Sequence, residues 1–178
     1  MGLKARISRE VRFLNGLVRT LWNIRKIAPD SDDLVCDDFE AAVDKFADHT
    51  ALVFEDERLT YRQLDAMANR FAAWADAHGV RSGDTVALLL PNRAEYVPAW
   101  VGLSKVGVAA ALINNNLAGA ALAHCLSISG ATHVIADSET IAAIDTIRAG
   151  LPRPLTYWVI DAKGPLAPGR HALDLKEP

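Results

Sequence analysis

Cysteine is scarce in this sequence: 178 residues contain two, Cys36 and Cys125. One stands in an acidic lead-in and the other in a helical pattern, so they make no disulfide framework and point to a reducing compartment. No CxxC and no Cys/His spacing of a zinc site is present, and His124 beside Cys125 reads as ordinary helix, since adjacent helix residues point in different directions. Long apolar runs are missing too. No segment reaches about 18 uninterrupted apolar residues, so none is expected to span a bilayer. The N-terminal apolar residues alternate with arginines and no cleavage site follows, so no secretory signal is expected there. Glycine is present, but not in the arrangements that carry chemistry. There is no GxGxxG, no GxxxxGK followed by Ser or Thr, and no GxSxG elbow. His49, His78, His124, His133 and His171 are scattered without metal spacing.

What is present is an apolar half, enough for one domain with a sizeable core, and a divided charge. Residues 1–28 hold seven Lys or Arg and one acid, Glu10, a balance of +6, whereas residues 29–178 carry twelve basic and twenty-one acidic residues, a balance of −9. Such a split marks a basic arm with a partner different from the body's. Along that arm Ile7, Val11, Leu14, Val18 and Leu21 recur at spacings of four and three, which predicts one helical stripe over residues 4–27, widened by Phe13, Leu17 and Trp22. Lys4, Arg6, Arg9, Arg12, Arg19, Arg25 and Lys26 fall mostly elsewhere around the helix, and Pro29 with Asp30–Asp33 ends it. Two readings stay open. The helix packs on its own domain or a partner helix, or it lies on an anionic membrane surface with Lys4, Arg6, Arg9, Arg12, Arg19, Trp22, Arg25 and Lys26 as the binding residues. Aromatics are too few among the cations for single-stranded nucleic acid, and the acidic body opposes duplex binding, so no nucleic-acid partner is expected.

The body alternates regularly. Phe39, Val43 and Phe46 predict a short acidic helix over Asp37–Asp48. Ala51–Phe54 and Arg58–Tyr61 read as a hairpin. Thr60, with Gln63 three residues on, has the capping-box pattern of a helix whose buried face is Leu64, Ala68, Phe71 and Ala75 and whose stop is Gly79. Thr85–Leu90 is an unbroken apolar run, as in a strand covered on both faces. Asn92 with Glu95 predicts a cap for a helix stopping at Gly107. Val108–Ile113 is a second strand, followed by the turn and cap cluster Asn114–Asn116 and a helix stopping at Gly130. Thr132–Ala136 is a third strand, with Ser138 predicted to cap a helix ending at Gly150, and Thr156–Ile160 is a fourth. Strands alternating with helices imply right-handed crossovers. The expected fold class is therefore α/β, an open, mostly parallel sheet with βαβ crossovers, preceded by an amphipathic N-terminal helix. The expected organisation is a basic helix over 1–28, a partial domain over 29–160, and loop or tail over 161–178.

Few residues in the sequence stand in patterns that carry chemistry. Ser127–Thr132 superficially resembles a phosphate loop but runs from helix to strand, where carbonyls, not amides, face outward; it reads as a helix stop. Asp32-Asp33 and Asp37-Asp38 read as solvated acids.

The stretch from Leu59 to Asn114 resembles the N-terminal region of the adenylate-forming superfamily of acyl-CoA synthetases, peptide-synthetase adenylation domains and luciferases. Thr60-Tyr61, Leu64, Ala68-Asn69-Arg70, Gly79-Val80, Gly83-Asp84, Val86-Ala87, Asn92 and Glu95 carry the likeness. The continuation, through Asn114–Leu117, Leu122 and His124-Cys125, is similar to the fatty-acid-transport-protein branch of long- and very-long-chain acyl-CoA synthetases. The resemblance covers residues 45–160 and implies the partial N-terminal domain of an ATP-dependent fatty acid–CoA ligase. For the complete enzyme it implies ATP, Mg and CoA as cofactors, a fatty acid as substrate and an acyl-adenylate on the way to acyl-CoA. It also implies a cytoplasmic protein, peripheral on the inner membrane surface. That family's phosphate loop, ribose-binding acid, hinge and catalytic lysine lie downstream of the matched region, so no catalytic, cofactor or metal residue carries over. The expectation is a fragment inactive alone, whose partner is the remainder of the enzyme, or else a non-catalytic membrane-associated module.

Overall fold

A computed structural model describes residues 3–24, 34–163, 165–173 and 175; the side chains of 3–9 and 23 lie outside the described set. The chain forms two compact units, Met1–Asp38 and Phe39–Pro178. The first holds α1 (Leu3–Ile24), the helix that the four-and-three spacing predicts. The expected stop at Pro29 and Asp30–Asp33 lies outside the described residues. Helix α2 (Val35–Phe46) begins in the first unit and continues into the second.

The second unit opens with an antiparallel hairpin, β1 (Thr50–Phe54) and β2 (Glu57–Thr60), turning at Glu55-Asp56. Glu55 takes φ of 52°, the left-handed region. Tyr61 does not extend β2 but opens α3 (Tyr61–Ala77), because Thr60 is committed to capping. The Gln63 amide donates to Thr60 Oγ1 at 3.2 Å, and the Thr60 amide donates to Gln63 Oε1 at 2.9 Å. Replacing Thr60 with alanine should lower stability by about 1 kcal/mol, read as a shifted urea midpoint at unchanged slope. Phe39 and Phe46 of α2 lie against the Tyr61 ring, at centroid distances of 6.4 and 6.2 Å.

A five-stranded parallel sheet follows, in the order β4-β3-β5-β6-β7. Its strands are β3 (Thr85–Leu89), β4 (Ala109–Leu112), β5 (His133–Ala136), β6 (Thr156–Val159) and β7 (Arg170–Ala172). The connecting helices are α4 (Tyr96–Lys105), α5 (Gly119–Ile128) and the short α6 (Ile141–Asp145), which ends in a 3-10 turn at Arg148–Gly150. Alternate residues of β3 divide between two cores. Val86, Leu88 and Leu90 face Phe71, Trp74, Ala99 and Leu103 of α3 and α4. Ala87 and Leu89 face Leu122, Leu126, Ile141 and Ile144 of α5 and α6. A strand with helices on both faces has no polar side, which is why its sequence is unbroken and apolar.

Several local expectations need correction. Residues 161–178 are not only loop: they contribute β7, parallel to β6, and Leu173 is buried. Asn92 caps nothing; Glu95 stands at the N-terminal boundary of α4 but makes no cap, its carboxylate being held by Arg93. Asn114 Oδ1 accepts from the Asn116 amide at 2.9 Å, a tight turn two residues short of the α5 cap position, Ala118, which has no side-chain cap. Ser138 does not cap α6. The helix starts after Thr140 without a side-chain cap; Asp137 closes the turn before it, its Oδ1 accepting from the amides of Glu139 and Thr140 at 3.1 and 2.8 Å, while Ser138 turns to Asp161. The helix stops at Gly79, Gly107 and Gly130 are as expected, with φ of 72°, 73° and 74°.

Candidate functional site

In a parallel sheet with helices on both faces, ligands collect where successive crossovers leave in opposite directions. Here β3 crosses by α4 to β4 on one side, and β5 crosses by α6 to β6 on the other, so the crevice lies between the carboxyl ends of β3 and β5. The register sets Leu89, Ala136 and Val159 level across the three strands. The residues just beyond therefore meet: Arg93 and Glu95 after β3, Asp137 after β5, and Asp161 after β6.

Arg93 holds this group together. Its Nε and Nη2 donate to the two oxygens of Glu95 at 2.8 and 3.1 Å, and Nη1 donates to Asp137 Oδ2 at 3.4 Å. Asp161 Oδ2 lies 3.8 Å from Nη1. Asp161 in turn accepts from the Ser138 amide at 2.8 Å and the Ser138 hydroxyl at 3.0 Å. The Thr140 hydroxyl donates to the Leu89 carbonyl at 2.7 Å, tying α6 back to β3. The bidentate bond to Arg93 holds Glu95 below the ordinary carboxylate range against the opposing effect of burial. Burial pushes Asp161 up, but the Ser138 hydrogen bonds and the Arg93 charge outweigh it and leave the carboxyl lowered. The hydrogen bond to Glu95 raises Arg93 in return.

This end of the sheet does not fit a triphosphate. Each guanidinium nitrogen of Arg93 already faces a carboxylate, and one cation stands among three acids, so an incoming polyanion meets repulsion. No group of three His, Cys, Asp or Glu able to hold a metal ion occurs among the described residues. The cluster is a clasp across three strand ends, and it contains no uncommitted nucleophile.

A second polar cluster joins α2, α3 and α4. Lys105 Nζ lies 2.7 Å from Asp65 Oδ1, 2.8 Å from Glu40 Oε1 and 2.9 Å from Asn69 Oδ1, which uses all three of its donors. These residues, with Val43 and Asp44, line a shallow groove of about 320 Å³. Burial would depress Lys105, but the bonds to Asp65 and Glu40 prevail and raise it. Glu40 of α2 is thus engaged by Lys105.

Three of the scattered histidines converge. Ile135, Trp158 and His171 are aligned across β5, β6 and β7, and His133 stands two residues before Ile135 on the same face. Trp74 of α3 and the C-cap residue His78, one turn on, close over them. The Trp158 ring lies 4.3 Å from His78, 4.9 Å from His171 and 5.2 Å from Trp74. His78 Nδ1 lies 2.8 Å from the Trp74 carbonyl, at the C-terminal end of α3. Register and helix spacing assemble this cluster, and no linear motif announces it.

The residues singled out for membrane contact lie on α1 or beyond. Arg12, Arg19 and Trp22 are exposed. Lys4, Arg6 and Arg9 belong to the helix, with side chains outside the described set, and Arg25 and Lys26 lie outside the described residues.

The model of the AMP-binding enzyme family matches residues 39–176. The chain belongs to the AMP-binding enzyme family. Members of this family related to the chain include long-chain fatty acid transport protein 1 of Homo sapiens. It is 39% identical over 145 residues, which are 78% of this chain and 22% of the relative. The long-chain-fatty-acid–CoA ligase FadD13 of Mycobacterium tuberculosis is 41% identical over 106 residues, 58% of this chain and 21% of the relative. Among solved structures, the anthranilate CoA ligase AuaEII in complex with anthranoyl-AMP superposes with a TM-score of 0.70 at 31% identity, covering 78% of this chain and 26% of that one. The chain thus spans about a fifth of the length of these curated relatives. The sheet is that of the N-terminal domain of adenylate-forming CoA ligases, and the family match reaches past 160 to include β7.

Proposed function

We propose that these residues form the first part of the N-terminal domain of an ATP-dependent long-chain fatty acid–CoA ligase, and that residues 1–178 alone form neither acyl-adenylate nor acyl-CoA. The observation that supports this reading is the family match over residues 39–176, combined with curated relatives named for long-chain fatty acids. The inactivity of the isolated segment rests on chemistry. The polar groups at the crevice are saturated by one another, and this segment of sequence has no glycine-rich phosphate loop to hold the leaving pyrophosphate. Fatty acid, ATP, Mg and CoA are accordingly assigned to the complete enzyme, and the remainder of that enzyme is the partner of this segment.

Two measurements test the reading together. Residues 1–178 should give no ATP–pyrophosphate exchange with a long-chain fatty acid; exchange above background would overturn the inactive reading. Grafting residues 39–176 into human long-chain fatty acid transport protein 1, in place of its matching segment, should keep acyl-CoA formation within roughly tenfold, since the graft supplies scaffold and the host supplies the chemistry. A folded, soluble chimera without activity would sink the ligase assignment.

A further inference from the structure

The rings around Trp158 have no part in the crevice, yet they gather three titratable side chains on one face of the sheet. Trp158 is buried in β6, with the ring of His78 at 4.3 Å, that of His171 at 4.9 Å and that of Trp74 at 5.2 Å. His133 meets Trp74 edge to face at 6.4 Å. His78 and His171 are exposed on their outer sides and His133 is half-buried, so solvent protons reach all three.

Hydrogen bonding makes this cluster sensitive to those protons. The indole N–H groups of Trp74 and Trp158 are buried and find no acceptor among the described residues. The His78 Nδ1 beside the Trp74 carbonyl must carry a proton, because a carbonyl only accepts, which leaves Nε2 as the acceptor of the neutral ring. Protonation removes that acceptor and adds a donor to a cluster already short of acceptors, and a buried donor without a partner costs stability. Charge acts in the same sense. Burial holds His133 below the ordinary imidazole range; Asp84, in the turn before β3, opposes this, and the charge of His78 adds to it. Other charges face away. Asp76 stands about 200° around α3 from Trp74, and Arg170 lies on the opposite face of β7, level with Tyr157 and paired with Asp145.

Strand β7 depends on this cluster. It is three residues long and lies at the sheet edge. On this face it is seated by His171 against Trp158 and by buried Leu173, whose amide donates to the Val159 carbonyl at 2.9 Å. We infer that the three-histidine cluster is an acid-sensitive latch: neutral imidazoles close α3 and β7 over Trp158, and their protonation releases that edge while the β4-β3-β5 pairing stays intact. The stability it contributes is present above about pH 6.5, where an unfolded imidazole is neutral. It is lost as the pH falls towards the lowered native value of His133. The inference does not depend on the ligase reading.

Amide hydrogen exchange of the full chain across pH 7.5–5.5, corrected for the intrinsic pH dependence of exchange, reads the latch. Protection of the Leu173 amide should fall roughly fivefold, against a limit of about tenfold per imidazole across the pH unit below about 6.5. The Ile113 amide, bonded to the Leu88 carbonyl towards the other edge of the sheet, should keep its protection. Replacing His78, His133 and His171 together with glutamine should remove the pH dependence at Leu173. Constant protection, an equal loss at Ile113, or a loss that persists in the triple variant would overturn the proposal. So would protection that rises in acid, because the protonated rings would then be held as cations over the indole faces. If the triple variant fails to fold, the imidazole titrations of the unaltered chain decide. The latch requires the His133 midpoint and the loss of Leu173 protection to coincide, and separate midpoints overturn it.

Discussion

Replacing Gly102 with alanine should cost about 3 kcal/mol of stability, and valine more. Helix α4 crosses α3 with its backbone almost in contact at this position. A Cβ built on Gly102 would stand 2.2 Å from the Ala68 carbonyl oxygen and 2.8 Å from the Cβ of Phe71. Neither neighbour can give way cheaply. The carbonyl belongs to the backbone of α3, and Phe71 is wholly buried between that helix and the sheet. The helices must therefore separate, and Ala99 and Leu103, both fully buried one turn away or less, lose contacts as they do. For a unit of this size the loss corresponds to a fall in melting temperature of roughly 10 °C. Gly150→Ala supplies the control, because nothing lies within 4 Å of a Cβ there. Equal melting temperatures for the two alanine variants would show that the close approach of α3 and α4 is not maintained in solution.

Gly102 also illustrates what could be read before the fold was in view. A glycine inside a helical pattern is visible in the sequence, but its reason is a second helix more than thirty residues earlier in the chain. Features set by neighbours in sequence were legible. The Thr60–Gln63 box, the glycine stops at 79, 107 and 130, and the unbroken strand at 85–89 each depend on a few adjacent residues, and each is found where the pattern puts it. Strand β7 was not legible, because Arg170-His171-Ala172 has no apolar run and acquires its conformation by pairing with β6. The expected cap of α6 failed for a related reason: Asp161, brought alongside by β6, takes Ser138 away, and the helix starts after Thr140 with no side-chain cap. The clasp at the crevice was invisible for the same cause on a larger scale. Arg93, Asp137 and Asp161 are separated by tens of residues and meet only because the parallel register brings three strand ends level. Asn92 and Glu95 marked that loop through family likeness, yet the residue that organises it is Arg93, between them.

That clasp supports a second prediction with a distinct signature. Arg93→Met should destabilise the second unit by about 3 kcal/mol near neutral pH. Removing one partner of a buried ion pair typically costs 3–5 kcal/mol, because the other charges remain without compensation. The lower end applies because Glu95 and Asp161 are about a third exposed, where solvent screens them, whereas Asp137 keeps only 5% of its side chain accessible. The pH dependence follows from the direction of the shifts. Glu95 and Asp161 are held below the ordinary carboxylate range in the native chain. Their contribution is therefore present above about pH 4–5, where an unfolded carboxyl is ionised, and is lost as the pH falls through their lowered native values. In the methionine variant, Glu95 and Asp161 lose the cation that keeps them ionised, so acid relieves the variant while it weakens the native chain. The stability gap between them should be widest near pH 7 and close as the pH falls below about 4. Arg93→Lys, which restores the charge without the planar fork, should recover part of the loss but not the bidentate hold on Glu95. Urea unfolding across that pH range checks this directly. A gap of constant size would mean that Arg93 acts through the packing of its aliphatic stem, and that the three carboxylates do not depend on its charge.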